Sequence, residues 1–407
     1  MLIQSRSAFI MEPIMNQIRS RVFQRLHRAA VLPRRKHSGC AEQAAVPAPT
    51  NSRKNKPTLL VSRLYQPANL RDMGLQGEMT CKSQRLMQQA GLIYQSNPGC
   101  YYYLPATVRS MEKLITRKFR DEPKPKFGLL RGREFYMKDM YSFDVSEEAA
   151  YETYESVCQA YTRLFARLGL RCVQVQADTG NIGGKLSHEF QLPADIGEDR
   201  ILVCGNCSFS ANVETLSPDT SDCPNCKTGK LEESKGVEVG HTFYLGKKYS
   251  NIFNATFSSA QNKPCIAEMG CYGLGVTRIL AAAIEVLSTE EGIRWPGLLA
   301  PYQACVVPPK KGSKMDGAAV LAEELVHTLG ETLPRLRGEV VFDDRTQMTI
   351  GKRLMDASRL GYPYVIVVGQ GALEETPRFE VICQQTGETM FLSKDGLLDL
   401  LGRVETV

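Results

Sequence analysis

The 407-residue chain lacks two features that would place it in a membrane or outside the cell. No hydrophobic run approaches the length of about 20 residues that a membrane-spanning helix needs. Its thirteen cysteines are odd in number and scattered over a long chain. That distribution argues against a disulfide framework and favours a reducing compartment. We therefore expect no membrane partner.

Acidic residues are nearly absent from the first 63 residues, which hold twelve Lys and Arg but only Glu12 and Glu42. This segment has a net charge of +10, so the rest carries −4, because the total is +6. The basic balance is therefore no evidence that the body binds nucleic acid. An Arg-rich, acid-poor segment with interleaved apolar residues is typical of a mitochondrial transit peptide. We expect a transit peptide and disordered leader over residues 1–50 and a location in the mitochondrial matrix. A disordered cytosolic basic arm is the alternative.

Residues 116–139 predict two short strands joined by a basic loop that contains Pro and Gly. Alternate residues of a strand point to one face, so Arg120 and Glu122 can serve one pocket. The guanidinium could grip a phosphate with two hydrogen bonds, and the carboxylate could accept from an amino group such as that of adenine. Phe135, on the second strand, offers a flat surface for a base. A charged hairpin with solvated faces is the alternative.

A second segment, residues 268–278, is rich in glycine and runs into a strong helix-forming sequence at 279–285. Its glycines permit close backbone packing, and Arg278 lies in the first turn of the predicted helix. The glycine order is not the dinucleotide-binding fingerprint and no Walker lysine follows, so neither of those nucleotide folds is supported. An arginine on each of two distant elements instead suits a triphosphate held across an antiparallel sheet.

These two segments resemble motifs 2 and 3 of class II aminoacyl-tRNA synthetases. Between them lie Ala-Asp-Thr-Gly at 177–180, Ser-His-Glu-Phe at 187–190 and Val-Gly-His-Thr-Phe-Tyr-Leu-Gly at 239–246. Together they resemble prolyl-tRNA synthetase of the bacterial and mitochondrial type, over roughly residues 64–407. The resemblance implies an α+β fold, with a class II antiparallel-sheet catalytic domain over residues 64–298.

After Trp295 the pattern changes to alternating strands and helices, which predicts a smaller α/β domain with a largely parallel sheet. This domain, residues 301–407, resembles the anticodon-binding domain shared by several class II synthetases. We expect strands at 304–307, 340–343, 364–368, 379–384 and 388–392, and helices at 318–329, 352–360 and 397–404.

The resemblance also implies roles for single residues. Arg120 and Arg278 would be the catalytic residues, since the attacking carboxylate belongs to proline and no side chain has to be a nucleophile. Arg120 would hold the α-phosphate of ATP, and Glu122 would accept from the adenine amino group. Phe135 and Arg278 would enclose the adenine ring. Mg²⁺ would neutralise the phosphates, with Glu268 as a candidate ligand; a simple strand-end carboxylate is the alternative.

Further residues would meet proline and tRNA(Pro). His188 would line the proline pocket, with a satisfied structural histidine as the alternative. Lys124 and Lys126 would contact phosphates of the tRNA acceptor end, with a solvated loop as the alternative. Positions that could meet anticodon bases are Asp344, Arg345 and Lys352.

Four cysteines form two CxxC pairs, a spacing that matches tetrahedral zinc. Four thiolates leave no open position for a catalytic water, so the expected ion is structural. Four free thiols are the alternative. The interval is only a short loop where bacterial members of the family often carry an editing domain. The cysteines are Cys204, Cys207, Cys223 and Cys226.

One segment of the family pattern is missing. In the family, the helix that corresponds to residues 108–114 is followed by several tens of residues before the equivalent of residues 117–120. That piece carries motif 1, which builds the homodimer interface, and a Thr-x-Glu loop that grasps proline. Here Leu114 runs almost directly into motif 2, with no turn signal between them.

The missing segment leads to two hypotheses. The first is a proline–tRNA ligase that binds ATP weakly and forms prolyl-adenylate poorly or not at all. The alternative is a catalytically inert, synthetase-like protein that binds tRNA or a partner.

Overall fold

The computed structural model describes residues 59–61, 81–97, 100–103, 117–217, 220–259 and 261–404. All of them belong to one unit, Pro57–Val407. The expected transit peptide at 1–50 and the junction after Leu114 lie outside the described residues. None of the described helices is long and apolar enough to cross a membrane.

The described elements of the N-terminal and catalytic part are mostly strands, with four helices among them. In chain order they are β1 (Leu59–Leu60), α1 (Lys82–Gln89), β2 (Ile93–Asn97), β3 (Cys100–Tyr103), β4 (Arg117–Phe119), β5 (Glu134–Asp144), α2 (Glu147–Arg167), β6 (Val173–Gln176), β7 (Leu186–Pro193), β8 (Asp199–Cys204), β9 (Ser210–Asn212), β10 (Leu231–Gly246), α3 (Lys248–Phe253), β11 (Thr256–Ser258), β12 (Pro264–Ile266), β13 (Glu268–Gly275) and α4 (Val276–Leu287).

Eight of the described strands form one sheet in the order β4-β5-β13-β10-β7-β6-β9-β8. The pairings are antiparallel except for a single parallel contact between β6 and β9. The longest strand, β10, has 16 residues and pairs with β13, β7 and β8. This sheet is the antiparallel sheet that the sequence predicts for the catalytic domain.

Helix α2 closes one face of this sheet. Its first turn is capped by Ser146, whose hydroxyl accepts from the Ala149 N–H at 3.2 Å. Apolar residues at helical spacing then bury one side of the helix, as the sequence predicts. The Tyr161 ring lies edge-on to Phe190 of β7, with 5.3 Å between centroids. Side chains of α2 therefore pack against the middle of this face of the sheet.

The C-terminal domain is the predicted α/β domain. Its elements are β14 (Ala304–Val307), α5 (Ala319–Thr332), β15 (Val340–Phe342), α6 (Ile350–Leu360), β16 (Tyr364–Val367), β17 (Arg378–Cys383), β18 (Thr389–Ser393) and α7 (Lys394–Gly402). The sheet order is β1-β15-β14-β16-β17-β18, in which the first four strands are parallel and the last two are added antiparallel. All four residues of β14 are apolar and buried, as expected where both faces of a parallel strand are covered.

One strand of this sheet comes from the N-terminal side of the chain. Leu59 and Leu60 pair in parallel with Val341 and Phe342. The sequence does not predict this strand, because two half-buried leucines carry no periodic pattern.

Trp295 forms a packed junction between the two domains. Its side chain is 1% exposed, and its indole N–H donates to the Leu360 carbonyl at 2.8 Å. It shares one apolar core with Ile293 and Tyr362. The change of sequence pattern at this position therefore marks a domain boundary that is itself buried.

The Gly361→Ala variant tests this junction. Gly361 ends α6 with φ = 77°, and an added Cβ would lie 2.5 Å from the Ile293 carbonyl oxygen. A left-handed conformation costs an L-residue roughly 1–2 kcal/mol, and overpacking adds about 1–3 kcal/mol. We expect the free energy of unfolding in urea to fall by about 2–5 kcal/mol.

Gly338→Ala is the matched control, because Gly338 has a similar φ of 82° but no described atom within 4 Å of an added Cβ. Its expected loss is the conformational cost alone, about 1–2 kcal/mol. Equal losses in the two variants would contradict a tight junction at Gly361.

Candidate active site

A cleft of about 500 Å³ lies on the face of the large sheet opposite α2. It is lined by the β4–β5 hairpin, by β10 and β13, and by the start of α4. Four residues selected from the sequence line it: Arg120, Glu122, Phe135 and Arg278. The structure thus brings together two arginines that are far apart in the chain, and their ligands remain predictions.

Arg278 is fixed from two sides. Its Nε donates to the Leu130 carbonyl at 2.9 Å, and its Nη1 donates to the Glu238 carbonyl at 2.9 Å and to Glu238 Oε2 at 3.1 Å. The side chain remains 32% exposed. A guanidinium held in this way presents a preorganised positive charge to the cleft.

Arg120 also lines the cleft. Its backbone N–H continues the hairpin by donating to the Arg133 carbonyl at 2.9 Å. Its guanidinium carbon lies 5.3 Å from the centroid of the Phe135 ring, a cation–π distance. The Arg120 side chain is exposed, so the cation is accessible from the cleft.

Glu122 is held as a carboxylate. Arg131 Nε lies 2.9 Å from one of its oxygens, and the Lys124 N–H donates to the other at 2.9 Å. The hydrogen bond from Arg131, followed by that from Lys124, lowers the pKa of Glu122. Arg131 and Lys126 both pair with Glu198. Of the two loop lysines, Lys124 is exposed and Lys126 is exposed but ion-paired.

Sequence reasoning missed a second group in the cleft: Glu189, Glu238 and His241. Their ligand atoms lie within 4.8 Å of one another, so they could hold a metal ion. His241 Nδ1 is 3.0 Å from Glu238 Oε1, and its ring stacks on Phe243 with centroids 3.9 Å apart. Burial, then the nearby charge of Glu238, raises the pKa of Glu189.

A β-bulge explains why this group is hard to find from sequence. His241 is the third residue after Glu238, so simple alternation along the strand would put the two side chains on opposite faces. The register of β10 against β7 shifts between Glu238 and Gly240. The extra residue turns both side chains into the cleft. The signal available in the sequence was the pair of glycines, Gly236 and Gly240, near Glu238 and His241.

The structure places His188 away from the cleft, and its role in binding proline stays a prediction. Strand alternation directs its ring toward α2, where Nδ1 lies 2.8 Å from the Tyr154 hydroxyl. It is absent from the lining of the cleft, whereas its neighbour Glu189 is present. The alternative interpretation, a structural histidine, is the one that this geometry supports.

Glu268 is absent from the lining of the cleft. It accepts from the Tyr244 hydroxyl at 2.9 Å and pairs with Lys247 at 3.3 Å. It begins β13, about 23 Å from Gly275 at the other end at roughly 3.3 Å per residue. This geometry favours the alternative, a strand-end carboxylate, and the Mg²⁺ role stays a prediction.

In the C-terminal domain, Arg345 is a structural residue. Its guanidinium pairs with Asp343 and Asp356, each at 2.9 Å, and only 14% of the side chain is exposed. These ion pairs give Arg345 a structural role, and its contact with anticodon bases stays a prediction. Asp344 is half-buried and Lys352 is exposed in the first turn of α6, so these two remain predictions.

The four predicted zinc ligands converge. Sγ of Cys204 lies 3.7 Å from that of Cys226, and Sγ of Cys207 lies 3.6 Å from that of Cys223. Hydrogen bonds from Thr228 and then Gly229 lower the pKa of Cys226 to about 6. A Cβ at Gly229 would collide with Cys204 Sγ, so the turn requires glycine. Among the described residues, this group consists of the four cysteines and includes no thiol from another part of the chain.

Two family models match the chain over most of its described length. The class II core domain of tRNA synthetases (G, H, P, S and T) matches residues 92–287, and the anticodon-binding domain matches residues 303–402. A human protein named probable proline–tRNA ligase, mitochondrial, is 52% identical over 437 residues, which cover 86% of this chain and 92% of that protein. The chain belongs to the proline–tRNA ligase family.

Other members support this assignment. A proline–tRNA ligase of Wolbachia sp. subsp. Drosophila simulans is 36% identical over 306 residues, 72% of this chain and 67% of that protein. The crystal structure of prolyl-tRNA synthetase from Cryptosporidium parvum complexed with L-proline and AMP matches with a TM-score of 0.61 over 78% of this chain and 76% of that one. At 14% identity, this likeness shows the fold alone.

Membership confirms the class II fold, the ligase class and the mitochondrial matrix location predicted from the sequence. The transit peptide itself remains a prediction. Within the alignment, the human proline–tRNA ligase is longer than this chain. Only 86% of these 407 residues, about 350, take part in 437 aligned positions, so about 87 positions have no counterpart in this chain.

Glu122→Gln tests the electrostatics of the hairpin loop. The folded pKa of Glu122 is lowered, so its stabilisation is fully present above the unfolded value of about 4.3 and is lost as the pH falls below it. We expect the variant to be less stable than the unmodified chain by about 1–3 kcal/mol at neutral pH, and the difference to shrink below about pH 4.

Urea titrations between neutral and acidic pH measure this difference. Glu152→Gln, at an exposed position of α2, controls for the loss of one carboxylate. A stability difference for Glu122→Gln that does not change with pH would refute the ion-pair explanation.

Proposed function

We propose that the cleft binds ATP and proline, and that this chain forms prolyl-adenylate far more slowly than a proline–tRNA ligase that contains the segment missing here. One observation carries the first part: Arg120, Phe135 and Arg278 line a single cleft. The second part is supported by the approximately 87 positions of the human relative that have no counterpart here.

The nucleotide fits the wall between β5 and α4. Arg120 would bind the α-phosphate and stabilise the charge that develops as the proline carboxylate attacks and pyrophosphate leaves. Arg278, held by Leu130 and Glu238, would bind the far phosphates and one side of the adenine. Phe135 would supply the other side. Catalysis would then rest on positioning and charge, because the nucleophile is supplied by the substrate.

The opposite end of the cleft suits the amino acid. Glu189 offers a carboxylate for the cationic amine of proline, and Phe243 offers an apolar ring for its methylenes. His241 is held between Glu238 and the Ser187 hydroxyl, at 3.0 and 2.5 Å. Its fixed orientation would give this end a defined shape.

A carboxylate in the cleft would also bind the Mg²⁺ that the family requires. Glu238 offers the oxygen ligands that Mg²⁺ prefers, and its Oε2 lies 3.1 Å from Arg278 Nη1 beside the nucleotide wall. This residue, rather than Glu268, would contribute to holding the ion. When bound, it would offset the negative charge of the phosphates.

The loop that grasps proline in the family gives a reason for low activity. The resemblance implies that a Thr-x-Glu loop belongs to the missing segment. Its loss would remove specific binding energy for proline.

Recognition of tRNA would use exposed lysines at both domains. Lys124 in the hairpin loop would contact the acceptor end. In the C-terminal domain, exposed lysines follow the carboxyl end of β14, and the Lys311 N–H donates to the Thr346 carbonyl at 3.0 Å. This hydrogen bond joins the lysine loop to the segment that precedes α6. The exposed lysines are Lys310, Lys311 and Lys314.

The four cysteines fit a structural zinc ion. Zn–S bonds of about 2.3 Å place tetrahedral sulfurs about 3.8 Å apart, close to the 3.6 and 3.7 Å separations in the structure. Cys204, Cys207, Cys223 and Cys226 would all be ligands, so the ion would fix the loop after β8 and leave no position for chemistry.

Proline-dependent exchange of pyrophosphate into ATP tests the main proposal. We expect measurable ATP binding but an exchange rate at least about a hundredfold below that of the human relative, a loss of about 2.7 kcal/mol in transition-state stabilisation. Arg278→Ala should weaken ATP binding by about tenfold or more, since it removes charge-assisted hydrogen bonds.

Arg200→Ala is the control, because Arg200 is exposed and pairs with Glu233 outside the cleft. Exchange as fast as that of the human relative would overturn the proposed impairment. Absence of ATP binding would instead support the inert, synthetase-like alternative.

Metal analysis by mass spectrometry tests the zinc proposal. The purified chain should contain one zinc, and Cys204→Ser and Cys226→Ser should each lose most of it, because a tetrahedral site depends on every thiolate. Cys265→Ser is the matched control, since Cys265 is a half-buried cysteine on β12 outside the cluster. A zinc-free unmodified chain would remove the proposal.

A further inference from the structure

Three side chains that line the cleft each direct one atom toward a common centre. His241 Nδ1 lies 3.0 Å from Glu238 Oε1 and 3.9 Å from Glu189 Oε1. The ligand atoms of all three residues lie within 4.8 Å of one another. An imidazole nitrogen and two carboxylate oxygens are donor atoms that divalent transition metals bind.

Paired strands, rather than loops, position these side chains. His241 of β10 lies directly opposite Glu189 of β7 in the antiparallel register. The bulge between Glu238 and Gly240 turns Glu238 to the same side. Side chains carried by regular strands are held more precisely than side chains on loops. The arrangement of the three donor atoms is therefore fixed by the sheet.

The second ring nitrogen of His241 is held on the side away from the centre. Nε2 is hydrogen-bonded to the Ser187 hydroxyl at 2.5 Å, and Ser187 is 1% exposed. The ring also stacks on Phe243, with centroids 3.9 Å apart. Metal-ligating histidines use their second nitrogen in this way, because the outer hydrogen bond fixes the orientation of the ring. Nδ1 is thus the nitrogen that His241 presents to the common centre.

The two carboxylates show the same arrangement. Oε2 of Glu189 accepts from Gln191 Nε2 at 2.9 Å, and Gln191 is fully buried. Oε2 of Glu238 accepts from Arg278 Nη1 at 3.1 Å. In both residues, Oε1 is the oxygen that lies toward His241. Each side chain therefore offers one atom to the centre and is supported through another, which is the pattern of a preorganised metal site.

The charge around the centre favours a cation. Glu189 and Glu238 bring two negative charges into close proximity, where they repel each other. Asp199 adds a third, because the Gln191 amide that supports Glu189 also donates to Asp199 at 2.8 Å. Arg278 supplies one positive charge in contact with Glu238. These groups together retain two negative charges, which a divalent ion would offset.

We propose that Glu189, Glu238 and His241 bind a Zn²⁺ ion at a site separate from the four cysteines. Zn–O and Zn–N bonds of about 2.0–2.2 Å place tetrahedral ligand atoms about 3.4 Å apart. The separations of 3.0 and 3.9 Å from Nδ1 to the two carboxylates lie on either side of that value. The ion would take the place of the proton that Nδ1 shares with Glu238 Oε1.

The donor atoms and their number distinguish this site from the other two metal sites of the protein. Mg²⁺ prefers oxygen ligands and keeps several waters, whereas an imidazole nitrogen beside two carboxylates suits Zn²⁺. The four cysteines would enclose their ion completely. Three ligands from the protein instead leave a fourth position open toward the cleft.

A bound Zn²⁺ would exclude proline, and this consequence rests on the proposed function. Glu189 cannot accept from the cationic amine of proline while its Oε1 binds a metal ion. Zn²⁺ and proline would therefore each weaken the binding of the other by the same factor. The site would make binding of the amino acid sensitive to free Zn²⁺.

Isothermal titration calorimetry of Zn²⁺ into the full chain tests the site. The unmodified chain should bind one more ion than His241→Ala, whatever the four cysteines hold. His241→Ala and Glu189→Gln should each raise the dissociation constant of this ion by at least about a hundredfold, because each removes a ligand. Ser187→Ala removes only the outer hydrogen bond of the histidine, so it should raise the dissociation constant by about tenfold.

His327→Ala is the matched control, because His327 is an exposed histidine on α5 of the other domain. It should bind as many ions as the unmodified chain. Circular dichroism checks that each variant folds. Where His241→Ala does not fold, Glu189→Gln and Ser187→Ala still test the site, since both replacements are small changes in side-chain volume.

Two outcomes would overturn the metal site. One is an equal number of Zn²⁺ ions in the unmodified chain and in the folded His241→Ala or Glu189→Gln variant. The other is loss of the same ion in His327→Ala, which would show binding to histidines at the surface.

The competition is measured separately, by titrating proline alone and then Zn²⁺ in the presence of proline. Proline should raise the apparent dissociation constant of the His241-dependent ion. If both ligands bind without weakening each other, the shared position at Glu189 is wrong and the metal site stands. Failure of proline to bind would overturn the proposed function and leave the metal site intact.

Discussion

The candidate site depends on the pairing of β10 with both β13 and β7. This one strand contributes Glu238, His241 and Phe243 to the cleft, and its neighbours contribute Glu189 and the segment that leads into Arg278. Because the pairing is antiparallel and continuous, the position of each side chain is set by register rather than by loops. The Glu238–Arg278 contact then ties the centre of the sheet to the start of α4, which places the nucleotide wall and the amino-acid end in a fixed relation.

The two faces of the eight-stranded sheet have different roles. The face toward α2 is filled with buried aromatic residues and satisfied polar groups, and His188 and Glu268 belong to it. The opposite face is open and carries the charged residues. His188 and Glu189 are neighbours in β7, so the first side chain points toward α2 and the second into the cleft. The same rule, applied across a bulge, brings Glu238 and His241 together, and Glu238 Oε2 lies 3.1 Å from Arg278 Nη1.

The sequence alone determined the family and the fold class, because these depend on local patterns such as alternation in strands and helical spacing in α2. It could not determine which face a strand residue takes after a bulge, nor that Leu59 and Leu60 join a sheet whose other strands begin more than 240 residues later. Arg345 shows the same limit, since its basic character was visible but the two carboxylates that hold it come from separate elements. Such contacts are set by tertiary packing, which places side chains through register and burial that no short stretch of sequence encodes.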